Sequence, residues 1–192
     1  MEIGCVILAA GRSERFGGDK LHADFSGQSL IQRAIQAVPE GCPAAVVTGD
    51  SQIAALARAH SMTVVWNHRP ELGISRSVRL GTMAMIQCSA ICFLVADQPM
   101  LKRDSVSRLL DEWRSHPKFI IRASHQGKPG NPCVFPKDLF PTLCSLQGDI
   151  GGGAVARAFP ERVIPVELQE RELMDCDTPE ALSQLCNKEG SS

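Results

Sequence analysis

Seven short apolar runs punctuate the chain, with amphipathic stretches between several of them. "IGCVILAA", "AAVVTG", "MTVVW", "AICFLVAD", "KFIIRAS", "PCVFP" and "RVIPVEL" all have strand length, and several are apolar at consecutive rather than alternate positions. Such a strand offers no face to water, so its sheet must be covered on both sides. The stretches between repeat at helical spacing. Leu30, Ile31, Ala34, Ile35 and Val38 share one face of residues 28–38, and Val106, Leu109, Leu110 and Trp113 share one face of residues 104–114. Strands alternating with helices predict an α/β fold with a mostly parallel sheet.

The 192 residues suffice for one well-buried core, and we read residues 1–187 as a single domain with a tail at 188–192. Residues 123–153 break the alternation: "ASHQGKPGNP" and "LQGDIGGG" are rich in Gly and Pro. They are expected to leave the sheet and to wall or cover a site.

Charge and composition narrow the partners. A net charge of −1 with no block of like charges argues against a nucleic-acid footprint. The N-terminus lacks the pattern of a secretory signal, and no apolar run approaches the roughly 20 residues that cross a bilayer, so a soluble, cytoplasmic protein without a membrane partner is expected. Eight cysteines form no C-x-x-C pair; Cys88 and Cys92 come closest. Reduced, mostly buried thiols are the expectation, not a disulfide framework or a zinc site. The five histidines show no metal-ligand spacing and are assigned no role.

Ligands of open α/β sheets bind beyond the carboxyl ends of the strands, where the strand order switches. "LAAGRSERFGGDK", residues 8–20, directly follows the first apolar run. It does not fit the P-loop pattern, because five residues separate Gly11 from Gly17 and no Ser or Thr follows Lys20. Nor is it the dinucleotide fingerprint, being longer and carrying Arg12, Arg15 and Lys20. Small residues let backbone N–H groups approach phosphate oxygens while Arg and Lys neutralise them, a combination that suits a triphosphate. A solvated loop with surface cations is the other reading.

Four further segments have chemical potential. "LVADQPML" ends a buried strand in Asp97, at the carboxyl edge of the sheet, where a cation such as magnesium would offset the cost of burial. Alternatively, Asp97 only serves backbone N–H groups of the turn before Pro99. In "MDCDTPEAL", Thr178 and Pro179 mark a helix start, and Asp175 and Asp177 share a face if the segment is extended. Asp177 either completes a two-carboxylate magnesium site with Asp97 or supports the helix dipole. "ELGISRSVRLG" places Ser75 and Ser77 at a helix start, as nucleotide donors or as caps. "LQGDIGGG" reads as a tight loop, lid or inert turn.

Taken in order, "LAAGRSERFGGDK", "GISRS", "LVADQPM", "GNPCVF", "LQGDIGG" and "DCDTPEAL" resemble the molybdenum cofactor nucleotidyltransferases, especially the cytidylyltransferase branch. The resemblance runs from residue 3 to about residue 185. It implies a three-layer α/β/α Rossmann-like nucleotidyltransferase fold and magnesium-dependent transfer of CMP from CTP to the phosphate of molybdopterin, with release of pyrophosphate. A molybdenum hydroxylase would receive the product.

The resemblance also assigns residues. Arg15 and Lys20 become phosphate ligands, catalytic together with Asp97; Asp97 and Asp177 hold magnesium. Leu8, Ala9, Ala10, Gly11, Arg12, Gly73, Ser75 and Ser77 border the nucleotide; Asn131, Asp149 and Gly151 meet the acceptor. Ala10 stands where the guanylyl branch has a glycine, which favours CTP. Two positions depart from the family: Asn131 replaces a histidine often found in this turn, and Gly153 an arginine, for which Arg157 one turn later could compensate. The alternatives are a guanylyltransferase using GTP, a cytidylyltransferase acting on a sugar or polyol phosphate, and a non-catalytic carrier of the cofactor.

Overall fold

The computed structural model describes residues 1–11 and 16–189, with side chains of residues 187–189 left aside. The chain forms strands β1 (Ile3–Ala9), β2 (Asp24–Phe25) and β3 (Gln28–Ser29), then helix α1 (Leu30–Gln36). β4 (Ala44–Thr48), α2 (Ser51–Ala59), β5 (Thr63–Trp66), α3 (Ile74–Ala84), β6 (Ala90–Val95) and α4 (Arg103–Ser115) follow. β7 (Ile120–His125), β8 (Lys128–Pro136), α5 (Phe140–Ser145), α6 (Gly152–Ala158), β9 (Val163–Glu167) and α7 (Pro179–Glu189) complete it. α7 thus runs into the stretch read as tail.

The main sheet has the order β5-β4-β1-β6-β8-β7-β9. All neighbours pair in parallel except β8, which is antiparallel to both β6 and β7. All seven strands expected from the apolar runs are present. Their two-sided burial follows from the layers: Cys5, Ile7 and Ala9 of β1 face a core shared with α1, α2 and α4, while Val6 faces one shared with α3, α5 and α6. β4 and β6 lie on opposite sides of β1, so the strand order switches there, and a crevice opens beyond the carboxyl ends of β1 and β6.

Local chemistry sets the helix starts. Ser29 and Gln32 form a reciprocal capping box at α1, and the Asp50 carboxylate accepts from the N–H groups of Gln52 and Ile53 at α2. Thr178 caps α7 by accepting from the N–H of Ala181, as its sequence position implies.

One expectation is corrected. "ASHQGKPGNP" does not leave the sheet: it is a hairpin joining β7 to β8, and β8 runs through the sheet interior. Gln126 and Gly127 turn the chain with φ of 48° and 77°, the left-handed pair that a tight hairpin requires. Beyond the hairpin turn, residues 146–151 lie outside regular elements and pack on α3 through Gly148 and Gly151.

Candidate active site

The first wall of the crevice is built by the two strands that flank the switch point. β1 ends at Ala9, and Ala10 and Gly11 continue into a cavity of about 550 Å³. Arg12 and Arg15 lie outside the described residues. The chain then returns through a short 3-10 turn, residues 20–22, that buries Lys20 to 6% exposure. On the other strand, the N–H of Ala96 still bonds to Leu8, so Asp97 is delivered at the sheet's edge.

A third segment comes from the far end of the sequence. The N–H of Cys176 donates to the Asp97 carbonyl at 2.8 Å, and the Cys176 side chain is buried with Phe25, Leu30 and Leu185. Gln98, 2% exposed, clamps the same segment by donating to the Leu173 carbonyl (3.2 Å) and to Asp175 Oδ1 (2.9 Å). Residues 174–177 are therefore held against the end of β6 without joining the sheet.

These anchors set three carboxylates around one cation. Lys20 Nζ donates to Asp97 Oδ2 at 2.7 Å and to Asp177 Oδ1 at 2.8 Å. Burial pulls the Lys20 ammonium's pKa down, but the hydrogen bonds to Asp177 and Asp97, reinforced by their charges, outweigh it and leave the pKa raised. Lys20 thus stays charged. Asp175 is pushed above the ordinary carboxylate value by burial and by the neighbouring Asp97 charge, only partly offset by Gln98. Among the described residues, one positive charge faces three carboxylates on this wall.

The opposite wall is the start of α3. Gly73 has φ +86°, and a Cβ there would lie 2.3 Å from the carbonyl of Gly148, so only glycine permits this approach. The N–H of Ser75 donates to the Gly148 carbonyl and that of Ile74 to Asp149 Oδ1 (3.4 Å). Asp149 therefore caps α3 from a distant loop. Ser77 lines the cavity and accepts from the buried amide of Asn67 (3.0 Å), whose Oδ1 also receives Arg76 Nε. Pro70, Glu71 and Leu72 complete this wall.

The structure brings Leu8, Ala10, Gly11, Lys20, Gly73, Ser77, Asp97, Asp149 and Asp177 to one cavity. Ala9 and Ser75, 4% exposed each, are buried and do not line it. Gly151 packs on Ile74, and Asn131 is half-buried in β8. Sequence reasoning gave no role to Asn67, Gln98 or Asp175, which support the walls. Asp175 had a visible signal in its spacing from Asp177; Gln98 had none, because its partners lie 75 and 77 residues away, and nothing in the spacing of Asn67 from Arg76 and Ser77 marked it.

Among the described residues, two places could take a cation. The Lys20 ammonium already bridges Asp97 and Asp177, so their oxygens fit one shared positive centre. Elsewhere, Asp19, His22 and Asp50 bring ligand atoms within 4.8 Å of one another, with His22 Nε2 3.3 Å from Asp50 Oδ2. That cluster joins residues from two loops, which explains why no histidine spacing announced it.

A sheet that switches order at β1, with a cavity at its carboxyl edge, defines an α/β protein with a ligand crevice at its switch point. The class is narrower than that: residues 5–163 match the MobA-like NTP transferase domain, and the chain belongs to that family of nucleotidyltransferases. No curated protein matches the sequence.

Among solved structures, Rv0371c of Mycobacterium tuberculosis shares 22% identity over 97% of this chain and 98% of its own, at a TM-score of 0.79; it has also been solved with manganese. A nucleotidyl transferase from Methanothermobacter thermautotroptrophicus shares 21% identity over 97% of both chains, at 0.79. Molybdopterin-guanine dinucleotide biosynthesis protein A of Archaeoglobus fulgidus shares 14% over 98% of this chain and 100% of its own, at 0.70. These likenesses establish the fold.

Proposed function

We propose that the protein transfers CMP from CTP to the terminal phosphate of a molybdopterin-type acceptor and releases pyrophosphate. The carrying observation is the Lys20 ammonium bridging Asp97 and Asp177 in the cavity beyond β1 and β6. It pairs a phosphate-seeking cation with two carboxylates that can hold magnesium once Lys20 turns to the triphosphate.

An oxygen of the acceptor phosphate attacks the α-phosphorus of CTP. The bond from that phosphorus to the bridging oxygen of the β-phosphate breaks, and pyrophosphate departs. The nucleophile is already ionised at neutral pH, so no general base is needed, and catalysis comes from positioning and charge neutralisation. Lys20 serves the leaving pyrophosphate, aided by Arg15 on the resemblance. Ala10 and Gly11 admit the nucleotide, with Gly73 and Ser77 facing it across the cavity. A divalent cation on Asp97 and Asp177 would neutralise charge on the phosphates.

Support for a molybdopterin acceptor comes from the ordered motifs and from the Archaeoglobus neighbour's description. Ala10 supports CTP, since its methyl group would crowd a purine. All eight cysteines are free thiols, in keeping with a reducing cytoplasm, and delivery to a molybdenum hydroxylase would complete the role.

Pyrophosphate release with CTP, GTP, ATP and UTP, each with and without molybdopterin and magnesium, tests the proposal. Release that needs CTP, magnesium and the pterin together is the expected result. Turnover with GTP alone would reassign the base, turnover with a sugar phosphate the acceptor, and pterin binding without any release would make the protein a carrier.

A further inference from the structure

The two positions that depart from the family pattern, Asn131 and Gly153, meet at a pair of arginines. Arg122 extends from the middle of β7 and donates Nε–H to the carbonyl of Gly130 at 3.1 Å, immediately before Asn131. One of its terminal nitrogens lies 3.3 Å from where a Cβ on Gly153 would sit; a terminal nitrogen of Arg157 lies 3.6 Å from the same point. The two guanidinium groups therefore converge over the bare backbone of Gly153, no further apart than the sum of those distances. A Cβ at residue 153 would crowd the Arg122 guanidinium by a few tenths of an ångström.

Neither arginine forms an ion pair among the described residues; the one hydrogen bond shown for the pair is Arg122 Nε–H to the Gly130 carbonyl. Asp149, four residues before Gly153, accepts from the N–H of Ile74 at the start of α3. Two like charges held together, one of them half-buried, repel each other unless an anion completes the group. Planar guanidinium forks suit an oxyanion, with two donors from each side chain.

The pair also sits beside the active site. Phe93 of β6 pairs with Cys133 of β8, and two residues further along each strand come Val95, which lines the cavity, and Asn131. Gly148 and Asp149 line the same cavity a few residues before Gly153.

We infer that Arg122 and Arg157 form an oxyanion subsite that holds a phosphate or carboxylate group of the acceptor beside the nucleotide. The inference rests on the proposed transfer reaction for its biological ligand, but the subsite can be tested without turnover. The bare backbone of Gly153 then leaves room for the guanidinium groups from β7 and α6 to converge.

Calorimetric titration of the full chain with inorganic phosphate and, separately, acetate provides the test. Wild type and Lys20→Ala should bind phosphate at the pair equally well, which separates this subsite from the triphosphate loop. Arg157→Ala and Arg122→Gln should weaken binding at least tenfold, and Arg157→Lys should recover part of the loss. Acetate binding in place of phosphate, with the same arginine dependence, would support the subsite and assign it a carboxylate. Phosphate and acetate affinities unchanged by both arginine substitutions, or no binding of either anion, would overturn the inference. Arg157 is exposed, so its loss does not threaten folding and circular dichroism need only confirm that. Arginine-dependent binding in a chain that releases no pyrophosphate with any nucleotide would leave the subsite standing and overturn the transfer reading instead.

Discussion

Two charged clusters of the molecule have opposite electrostatics. At the end near β1 and β6, three carboxylates gather around a single buried lysine. At the end near β7, β8 and α6, two arginines converge with no carboxylate partner among the described residues. Among the described residues, the first cluster is short of positive charge and the second short of negative charge. In the proposed reaction a divalent cation answers the first deficit, and an anionic acceptor the second. The chain's net charge of −1 hides this separation, since composition averages over both ends.

The sharpest way to break the comparison is at the acidic end. Asp97→Asn keeps the shape and leaves Lys20 bonded to Asp177, so the fold should persist while pyrophosphate release falls by roughly a hundred- to a thousandfold. Near-wild-type release from a folded Asp97→Asn protein would mean that the carboxylates serve only to hold Lys20. Lys20→Ala should also remove most turnover, and it leaves Asp97 and Asp177 facing each other with no cation between them.

Base selection is the next largest effect. Ala10 lines the cavity, and Ala10→Gly should move the ratio of kcat/KM for CTP over GTP toward GTP by about 10-fold and by no more than about 200-fold, the range that a single methyl group can supply. An unchanged ratio would place the discrimination on the opposite wall, at residues 70–77.

That wall has its own weak point. Gly73→Ala meets both a left-handed backbone and the Gly148 carbonyl, with a strain cost of about 1–3 kcal/mol. Urea denaturation should show the loss of stability. Because the displaced loop carries Asp149 away from α3, KM for the nucleotide should rise as well; a stability loss with KM unchanged would make this contact purely architectural.

Much of this was legible in the residues, for physical reasons that also explain the exceptions. Two-sided apolar runs report a covered parallel sheet, and Asp97 stands out because a buried strand ends in an acid. β8 was half hidden: Cys133, Val134 and Phe135 read as strand, but Pro129, Gly130 and Pro132 read as loop, since proline gives up ladder hydrogen bonds. The structure accommodates them beside a register shift between Arg122 and Ser124. The lysine bridge could not be read from spacing, because its partners lie 77 and 157 residues away. Arg122 gave no signal at all. A single cation in mid-strand looks like an edge residue until β8 and α6 are packed around it.

The smallest effect tests how far the acidic end extends. Asp50 caps α2 and its second oxygen faces His22, two residues from Lys20. Burial raises the Asp50 carboxyl's pKa, but bonds from the N–H groups of Ile53 and Gln52, with help from His22, bring it below the ordinary value. Because the folded state holds the ionised form, this stabilisation is present above the unfolded value of about 3.9 and is lost as pH falls through the folded one. Asp50→Ala should cost about 1 kcal/mol at pH 7, the usual worth of such a cap and here reduced by the exposure of the carboxylate. The gap to wild type should shrink in urea titrations at pH 3. His22→Ala leaves both N–H bonds of the cap in place and should cost less. If Asp50→Ala also raised KM for CTP while His22→Ala did not, the cap would be what holds the Lys20 turn in register. If neither moved KM, the acidic end would stop at Asp97, Asp175 and Asp177, and the Asp19, His22 and Asp50 cluster would serve stability alone.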